Sequence, residues 1–346
     1  MTTFPREKLP RNPRILIIKL RSIGDVVYNT AVYSPLKKSF PDCHLTVLVE
    51  DFCYDVVRSH PDIDEVLTFE KGSFFQQSKF YFKLFTNQYD VVIDMHEGTR
   101  GAIMCFVTQA RFRVGHKYAK RSFLYNVRLE FGDLNPQSPM DYQVALIKKM
   151  GVSFENIAPT IFISEAAKTT ADELMKDQGF NSDEHFCIIH PGGKIYDQWY
   201  PWRFADIADR LYRQYKLKIL FTCGPRQKMF VDAIIPRIKD AQYAFISTNL
   251  HELGAITKKS SFVLCHDGGY MHFAAAIGTP VVGLFGWSTP RVWKPIGDKT
   301  VVVYKNAECS PCNSKTIKEE CLAGDPECKR LITVDDVFSA IKKVFP

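Results

Sequence analysis

Long hydrophobic runs are missing from this sequence of 346 residues. No stretch approaches the roughly 20 uninterrupted apolar residues that a membrane-spanning helix needs. Residues 1–14 (MTTFPREKLPRNPR) lack the apolar core of a secretory signal peptide. The sequence also has no tract rich in proline, glycine and serine, which argues against extended disorder. Together these absences predict a folded protein of the cytoplasm, and the length predicts two domains of ordinary size.

The sequence contains ten cysteines, and their interpretation depends on the same missing export signal. Without an export signal they are better explained as reduced thiols than as a disulfide framework. Four late cysteines, Cys309, Cys312, Cys321 and Cys328, have the spacing C-x2-C-x8-C-x6-C. Four thiolates could bind zinc or an iron-sulfur centre, but these intervals are not those of a common zinc ribbon. We favour reduced structural thiols, with no bound metal.

The formal net charge of +7 favours anionic partners such as phosphates or acidic lipid head groups. This charge alone does not select nucleic acid, which we do not expect as a partner.

Short apolar runs alternate with helical patterns in both halves of the chain. Strands are predicted at residues 14–20, 44–49, 65–69 and 89–94, and again at 185–190, 218–222, 262–265 and 280–285. Such alternation implies parallel sheets covered by helices on both faces. A charged, helical stretch between Val152 and Asp183 separates the two sets. The sequence therefore predicts an α/β protein with two doubly wound halves.

Ligands of open α/β sheets bind near the carboxyl ends of strands, so the loops there are the candidate sites. The first is residues 22–25 (SIGD), where Gly24 permits a sharp turn and Asp25 begins a helix. Spacing alone favours Asp25 as a helix-capping or first-turn acid. The functional alternative is a general base that faces a cleft between the domains.

Two loops of the second half have features of a phosphate site. Residues 265–272 (CHDGGYMH) run from a buried strand through two glycines into a helix, whose free N–H groups favour a phosphate. Residues 190–194 (HPGGK) could bring backbone N–H groups and Lys194 to an anion. Neither half carries the full G-x-G-x-x-G spacing, which makes a nicotinamide oxidoreductase a weak alternative. His272 alone is equally consistent with an ordinary half-buried histidine.

The fourth place is residues 94–100 (DMHEGTR), followed by the basic stretch 111–121 (RFRVGHKYAKR). This stretch is either a solvated face or the site of an acidic acceptor, and we weigh the two equally.

The order and separation of these loops resemble glycosyltransferase family 9, the ADP-heptose:lipopolysaccharide heptosyltransferases. The resemblance covers nearly the whole chain. It is most specific at residues 17–25 (IIKLRSIGD), 267–272 (DGGYMH) and 275–286 (AAIGTPVVGLFG), and the stretch 309–312 (CSPC) also looks like the cysteine-bearing tail of many members.

The resemblance implies the glycosyltransferase B-type fold, with two facing Rossmann-like domains. Residues 1–175 would bind the acceptor and residues 176–332 the donor, while residues 333–346 would form a helix that returns to the first domain. The implied reaction is an inverting transfer of a heptose or related sugar, most simply from ADP-heptose, to a lipopolysaccharide core or similar glycolipid. No metal or other cofactor is expected. A peripheral contact with the cytoplasmic face of the inner membrane is expected.

Site residues follow from the same resemblance. Asp25 matches the catalytic base. The expected donor-binding residues are Gly192, Gly193, Lys194, Arg226, Asp267, Gly268, Gly269 and His272. The expected acceptor-binding residues are Gly24, His96, Arg100, Arg113, Lys117 and Arg121.

Two positions depart from the family pattern. Asp197 stands where a lysine is common, two residues before Trp199, and Lys194 is the candidate substitute. Arg226 stands where an acidic residue often contacts the ribose, which leaves the donor base and sugar open. A sugar-nucleotide epimerase of the same architecture and a non-catalytic nucleotide-sugar-binding protein are the alternatives. Retention of Asp25 argues against the second of these, and loss of the lysine at position 197 argues for it.

Overall fold

The computed structural model describes residues 4–131, 137–181, 184–194, 197–312, 319–322 and 325–346. The chain divides into two compact units, Met1–Phe162 and Ile163–Pro346. Each is an α/β unit built on a six-stranded sheet in which all pairings are parallel. This confirms the predicted fold class.

The first sheet has the order β3-β2-β1-β4-β5-β6. Its strands are β1 (Arg14–Ile18), β2 (His44–Glu50), β3 (Glu65–Phe69), β4 (Val91–Asp94), β5 (Phe112–His116) and β6 (Val127–Leu129). The helices of this unit are α1 (Ile23–Asn29), α2 (Tyr33–Ser39), α3 (Tyr54–Val57), α4 (Phe74–Thr86), α5 (Thr99–Val107) and α6 (Pro139–Lys149). Short 3-10 turns occur at Arg6–Lys8, Thr30–Val32, Asp51–Cys53 and Ser122–Leu124.

The second sheet has the order β12-β11-β10-β7-β8-β9. Its strands are β7 (Phe186–His190), β8 (Lys218–Phe221), β9 (Tyr243–Phe245), β10 (Val263–His266), β11 (Val281–Leu284) and β12 (Thr300–Val303). Its helices are α7 (Glu165–Asp177), α8 (Pro201–Tyr215), α9 (Lys228–Ile234), α10 (Leu250–Lys259), α11 (Gly269–Ile277), α12 (Pro290–Trp293), α13 (Glu319–Leu322), α14 (Glu327–Arg330) and α15 (Val334–Val344). A 3-10 turn lies at Ile235–Arg237.

The central strands are apolar on both faces because helices cover both sides of the sheet. In β1, Ile15, Leu16 and Ile17 are all fully buried. Ile15 is aligned with Leu45 of β2 on one side and with Val91 of β4 on the other. The register brings the carboxyl ends of β1 and β4 together, and the loops that follow these strands form the site described below.

The domain boundary differs from the predicted one. A division at residue 175 would cut α7, which instead belongs wholly to the second unit and packs against α10. The apolar face of α7, with Ala167, Ala171 and Met175 buried, provides that contact.

The prediction that residues 333–346 form a helix is met by α15, which Thr333 caps through the N–H of Asp336 at 3.1 Å. Its predicted return to the first domain is not what the structure has. The helix belongs to the second unit, where Val337, Phe338 and Ile341 are buried in the apolar core. Its strongly one-sided apolar face is therefore used on its own sheet.

The basic stretch 111–121 is also organised differently from a continuous solvated face. Strand β5 runs through it, so Phe112 and Val114 are buried while the charged residues alternate with them.

No helix in the described part of the chain combines the length and the apolar character that crossing a bilayer requires.

Candidate active site

The carboxylate of Asp25 lies just beyond the end of β1, in the first turn of α1. Its Oδ2 atom accepts hydrogen bonds from the Ser22 N–H at 3.1 Å and from the Ser22 hydroxyl at 3.0 Å. Its Oδ1 atom is 3.5 Å from the Lys19 ammonium, and 24% of the side chain is exposed. Asp25 thus caps its helix and still presents a carboxylate oxygen to solvent, so the capping role and a catalytic role are compatible.

Lys19 links two strand ends at this site. Its side chain is nearly buried, and its ammonium donates to the Met95 carbonyl at 3.1 Å. Because Lys19 follows β1 and Met95 follows β4, this bond fixes the two loops together. The ammonium also offsets the negative charge of Asp25.

A cavity of about 520 Å³ opens beside Asp25. Its walls come from the loops after β1 and β4 and from α6. The lining residues are Lys19, Arg21, Ser22, Asp25, Met95, His96, Glu97, Pro139, Tyr142, Gln143 and Leu146.

His96 lines this cavity in its neutral form. Burial, together with the nearby cations Lys19, Arg21 and Arg100, lowers the pKa of His96 to about 4. At neutral pH the imidazole therefore has one nitrogen that donates and one that accepts, which suits a hydroxyl group.

Asp94 organises the loop that carries His96. Its Oδ1 accepts the His96 N–H at 2.8 Å and its Oδ2 accepts the Tyr125 hydroxyl at 2.6 Å. Burial raises the pKa of Asp94 to about 6, against the effect of these hydrogen bonds. A Cβ at Gly101 would lie 2.5 Å from Asp94 Oδ1, so glycine is needed for α5 to approach this carboxylate.

Among the predicted acceptor-binding residues, His96 lines the cavity and the others are not part of its lining. Gly24 is buried within α1. Arg100 pairs with Glu50 at 3.2 Å, and Lys117 pairs with Glu130 at 2.6 Å.

Two more of these residues have structural surroundings. Arg113 donates to the Leu124 carbonyl at 3.2 Å and to the Ala110 carbonyl at 3.0 Å, so its guanidinium is tied to the backbone. Arg121 is exposed, in the left-handed region at φ 60°. Acceptor binding by these residues stays a prediction.

Several cavity residues were not among the predicted ones. Lys19 interrupts an otherwise apolar run, and this charge was the signal available in the sequence. Gln143 donates to the Asp25 carbonyl at 3.4 Å and accepts from Asn29 at 2.6 Å. It lies on α6, far along the chain, and nothing in its local sequence marks it.

In the second unit, three predicted donor loops meet because β7 lies between β10 and β8. The Gln227 side chain accepts the Gly224 N–H and donates to the Gly193 carbonyl, both at 3.2 Å. His266 Nε2 accepts the Trp199 N–H at 2.9 Å. A Cβ at Gly192 would lie 2.3 Å from Gln227 Oε1, so a side chain there would displace the Gln227 amide from its present position.

The amino end of α11 has the geometry of an anion site. Gly268 occupies the capping position and a Cβ there would meet nothing within 4 Å, so the helix end is open. Asp267 precedes it, hydrogen-bonded to the Ser288 hydroxyl, and burial raises the pKa of Asp267. Gly269 and the buried His272 lie in the first turn. Backbone N–H groups at such an end favour phosphate.

The Lys194 side chain packs on the ring of Trp287, and the backbone N–H of Trp287 is hydrogen-bonded to a buried ion pair. The Lys194 ammonium lies 4.2 Å from the centre of the Trp287 ring. The Trp287 N–H donates to Asp197 Oδ1 at 3.1 Å, and the same oxygen is 3.3 Å from the Lys329 ammonium. Asp197 therefore serves as the counter-ion of Lys329.

Arg226 is an exposed residue in the left-handed region, at φ 64°, in the loop after β8. It lies at the carboxyl edge of the sheet with the other donor loops.

The late cysteines are free thiols. The Cys312 thiol contacts the Cys309 carbonyl at 3.5 Å, and burial raises the pKa of Cys328 to about 12. A thiol is a poor metal ligand until it is deprotonated. Within the described residues no cluster of three or more His, Cys, Asp or Glu side chains is arranged to hold a metal ion.

Comparison with known proteins identifies the chain. Residues 78–323 match glycosyltransferase family 9 (heptosyltransferase). Lipooligosaccharide heptosyltransferase 2 of Haemophilus influenzae is 22% identical over 314 residues, covering 84% of this chain and 88% of that protein.

Two solved structures share the fold. A family 9 glycosyltransferase from Veillonella parvula has a TM-score of 0.83 at 22% identity, covering 98% of both chains. The ADP-heptose lipopolysaccharide heptosyltransferase II of E. coli has a TM-score of 0.79 at 18% identity, covering 96% of this chain and 98% of that one. The fold and its loops thus define a glycosyltransferase of the B-type architecture. More specifically, the chain belongs to glycosyltransferase family 9, the heptosyltransferase family.

Proposed function

We propose that this protein transfers a heptose from ADP-heptose to the core of a lipopolysaccharide or similar glycolipid, with inversion at the anomeric carbon. The observation that carries the proposal is the Asp25 carboxylate, fixed by Ser22 and Lys19 on the wall of a cavity of about 520 Å³. The names of its relatives support the substrates, since the E. coli enzyme is named for ADP-heptose and lipopolysaccharide and the H. influenzae enzyme for lipooligosaccharide.

In the proposed reaction Asp25 acts as the general base. It removes the proton from an acceptor hydroxyl as that oxygen attacks the anomeric carbon of the donor. A new carbon–oxygen bond forms while the bond to the diphosphate breaks, and ADP leaves with the electron pair. Because the attack is a single displacement from the face opposite the leaving group, the configuration inverts. Lys19 keeps the carboxylate in position, and neutral His96 orients the acceptor by hydrogen bonding.

The donor diphosphate would bind at the open amino end of α11. Backbone N–H groups at Gly268 and Gly269 and the ammonium of Lys194 would stabilise the negative charge that grows on the leaving group. These donors belong to the protein, so the proposal requires no metal ion. Asp267 and His272 lie next to this helix end and would contact the donor.

The proposed acceptor is anchored in a membrane, so the enzyme would work at the cytoplasmic face of the inner membrane as a peripheral protein.

Calorimetric binding of ADP, UDP and GDP, each alone and as the available sugar nucleotides, with and without a chelator, tests the donor. We expect selective binding of ADP and ADP-heptose that the chelator does not change. A preference for UDP or GDP would mean that the donor carries a different nucleotide. The role of Asp25 as general base would then be decided by a separate test. Binding that the chelator abolishes, or no binding of any nucleotide, would contradict the proposal.

A further inference from the structure

Helix α4 exposes four phenylalanines. Phe74, Phe75, Phe82 and Phe85 have between 53% and 87% of their surface accessible. At 100° per residue these positions fall within an arc of roughly 100° on one side of the helix. The other side is already occupied, since Leu84 is fully buried and Phe80 packs on Phe69 with a ring distance of 5.2 Å. The exposed phenylalanines are therefore in excess of what the core of this unit needs.

The apolar face continues onto neighbouring elements. Helix α5 packs beside α4, and the 3-10 turn Ser122–Leu124 packs beside α5. Each adds an exposed phenylalanine, Phe106 from α5 and Phe123 from the turn. We call this set the phenylalanine surface: Phe74, Phe75, Phe82, Phe85, Phe106 and Phe123. Exposed apolar patches of this kind on a folded unit mark interaction sites.

The charges around this surface are mainly positive. Residues 71–86 contain three lysines, Lys71, Lys79 and Lys83, and no acidic residue. Residues 117–128 contain four basic residues, of which Lys117 is paired with Glu130 at 2.6 Å. On the helix, Lys79 and Lys83 fall next to the phenylalanine arc, on the side of Phe75 and Phe82, and Lys83 lies 3.8 Å from the Glu65 carboxylate. Apolar side chains thus protrude beside ammonium groups.

This combination fits an anionic bilayer better than a second copy of the chain. Phenylalanines enter the boundary between head groups and acyl chains, while lysines stay with the anionic head groups. A two-fold interface between copies would instead bring the same lysines together, and like charges oppose such an association. We propose that the phenylalanine surface is where this protein docks on an anionic lipid bilayer.

The surface adjoins the edge of the sheet that carries Asp25. Helix α4 starts after β3, and Lys117 to Arg121 follow β5, while Asp25 and His96 follow β1 and β4. In a parallel sheet all these strand ends lie at one edge. Docking through the phenylalanine surface would therefore hold the cavity near the head groups. This step rests on the proposed function, because it gives a lipid-anchored acceptor a route to Asp25.

Co-sedimentation of the full chain with vesicles tests the surface without donor or acceptor. The vesicles are pure phosphatidylcholine, or phosphatidylcholine with a third of phosphatidylglycerol. We expect tighter binding to the anionic vesicles, weakened by salt. The double variant Phe75→Ser/Phe82→Ser should bind at least tenfold more weakly, and Phe75→Leu/Phe82→Leu should keep most of the binding. Lys79→Glu should weaken binding to anionic vesicles alone.

Met229→Ser is the matched control, because Met229 is an exposed apolar residue of the second unit, at 60%. It should bind vesicles as the wild type does. Equal binding by the Phe75→Ser/Phe82→Ser variant, or no binding of the wild type to anionic vesicles, would overturn the proposal. A further contrary outcome is a wild type that forms a dimer in gel filtration without binding vesicles, while the double variant is monomeric. That result would assign the surface to an interface between two copies of the chain.

Different results would contradict the docking surface and the proposed transferase function. Transfer to a delipidated, water-soluble acceptor should be unchanged in the Phe75→Ser/Phe82→Ser variant, whereas transfer to the same acceptor in vesicles should fall. A wild type that binds vesicles but neither binds a nucleotide nor transfers a sugar would leave the docking surface standing and remove the proposed function.

Discussion

The ammonium group of Lys329 lies 3.3 Å from the carboxylate of Asp197, and both side chains are buried. The same ammonium donates to the Leu284 carbonyl at 2.9 Å. This pair explains the acid at a position where the family resemblance led us to expect a lysine. Asp197 neutralises a buried cation, and through the Trp287 N–H it holds the loop after β11. The aspartate is thus no sign of a lost function.

Asp197→Asn should therefore destabilise the second unit strongly. It would leave a buried ammonium without a counter-ion, at a cost of about 3–5 kcal/mol. Urea unfolding followed by tryptophan fluorescence measures this loss. The double variant Asp197→Asn/Lys329→Met removes the cation as well and should recover most of the stability. An Asp197→Asn protein as stable as the wild type would contradict the role of the pair.

Trp287 should act on donor binding through Lys194. Lys194→Ala should weaken ADP binding about tenfold, as expected for one charge-assisted contact. Trp287→Leu should weaken it several-fold, since an exposed cation–π contact contributes about 0.5–1 kcal/mol. In the Lys194→Ala background the Trp287 substitution should have little further effect.

Calorimetry on the four proteins completes this cycle, with adenosine as the control ligand because it has no diphosphate. Strictly additive losses would show that Trp287 acts independently of Lys194.

Much of the fold could be predicted because the central strands carry their own signal. β1 and β7 are short, mainly apolar runs that precede glycine-bearing turns, and all of their residues except Arg14 are buried. The strands β5, β6, β9 and β12 were not predicted. Three of them are the outermost strands of a sheet, and β5 carries Arg113 within its span. Strands β6 and β9 have only three residues each, too few for the apolar run on which prediction depends. Strand β12 (TVVV) does carry an apolar run and was overlooked.

The residues of the candidate sites also fall into two groups, those with a local sequence signal and those without one. Asp25, Asp267 and Gly268 lie at junctions between a strand and a helix, where the local sequence shows both the turn and the chemistry. Gln143 and Lys329 come from helices distant in sequence, and only tertiary packing brings them to the Asp25 backbone and to Asp197. The membership of α15 in the second unit had no local signal either, because an amphipathic helix does not specify which sheet it covers.

Asp25→Asn should separate catalysis from structure. The amide oxygen can still accept from Ser22, so the first turn of α1 stays capped, but the side chain no longer takes a proton. We expect kcat to fall by about 10²–10⁴ while the ADP affinity stays within about twofold. Ser22→Ala is the control, since it removes the hydroxyl bond to Oδ2 and the capping contact with the Asp25 N–H but keeps the carboxylate, and it should lower kcat far less. An equal loss of donor affinity and kcat in Asp25→Asn would refute the assignment of the base.

His60 should make the first unit sensitive to acid. Its ring packs edge-on against Tyr33 at 5.2 Å and Phe162 at 4.9 Å. Burial lowers the pKa of His60 to about 4, against the opposing effect of the Asp62 carboxylate. In the unfolded chain the pKa is about 6.5, so between these values the unfolded state binds the extra proton. The contribution of His60 to stability is therefore constant above pH 6.5 and falls by about 3 kcal/mol as the pH drops to 4.

His60→Phe keeps the aromatic contacts and removes this titration. Denaturant unfolding at several pH values gives the free energy of unfolding as a function of pH. Between pH 6.5 and 4 its slope should be smaller in the variant than in the wild type, by an amount that corresponds to at most one bound proton. The other buried histidines of this unit titrate in both proteins, so the difference between the profiles isolates His60. Parallel profiles would mean that His60 is protonated in the folded protein as readily as in the unfolded chain.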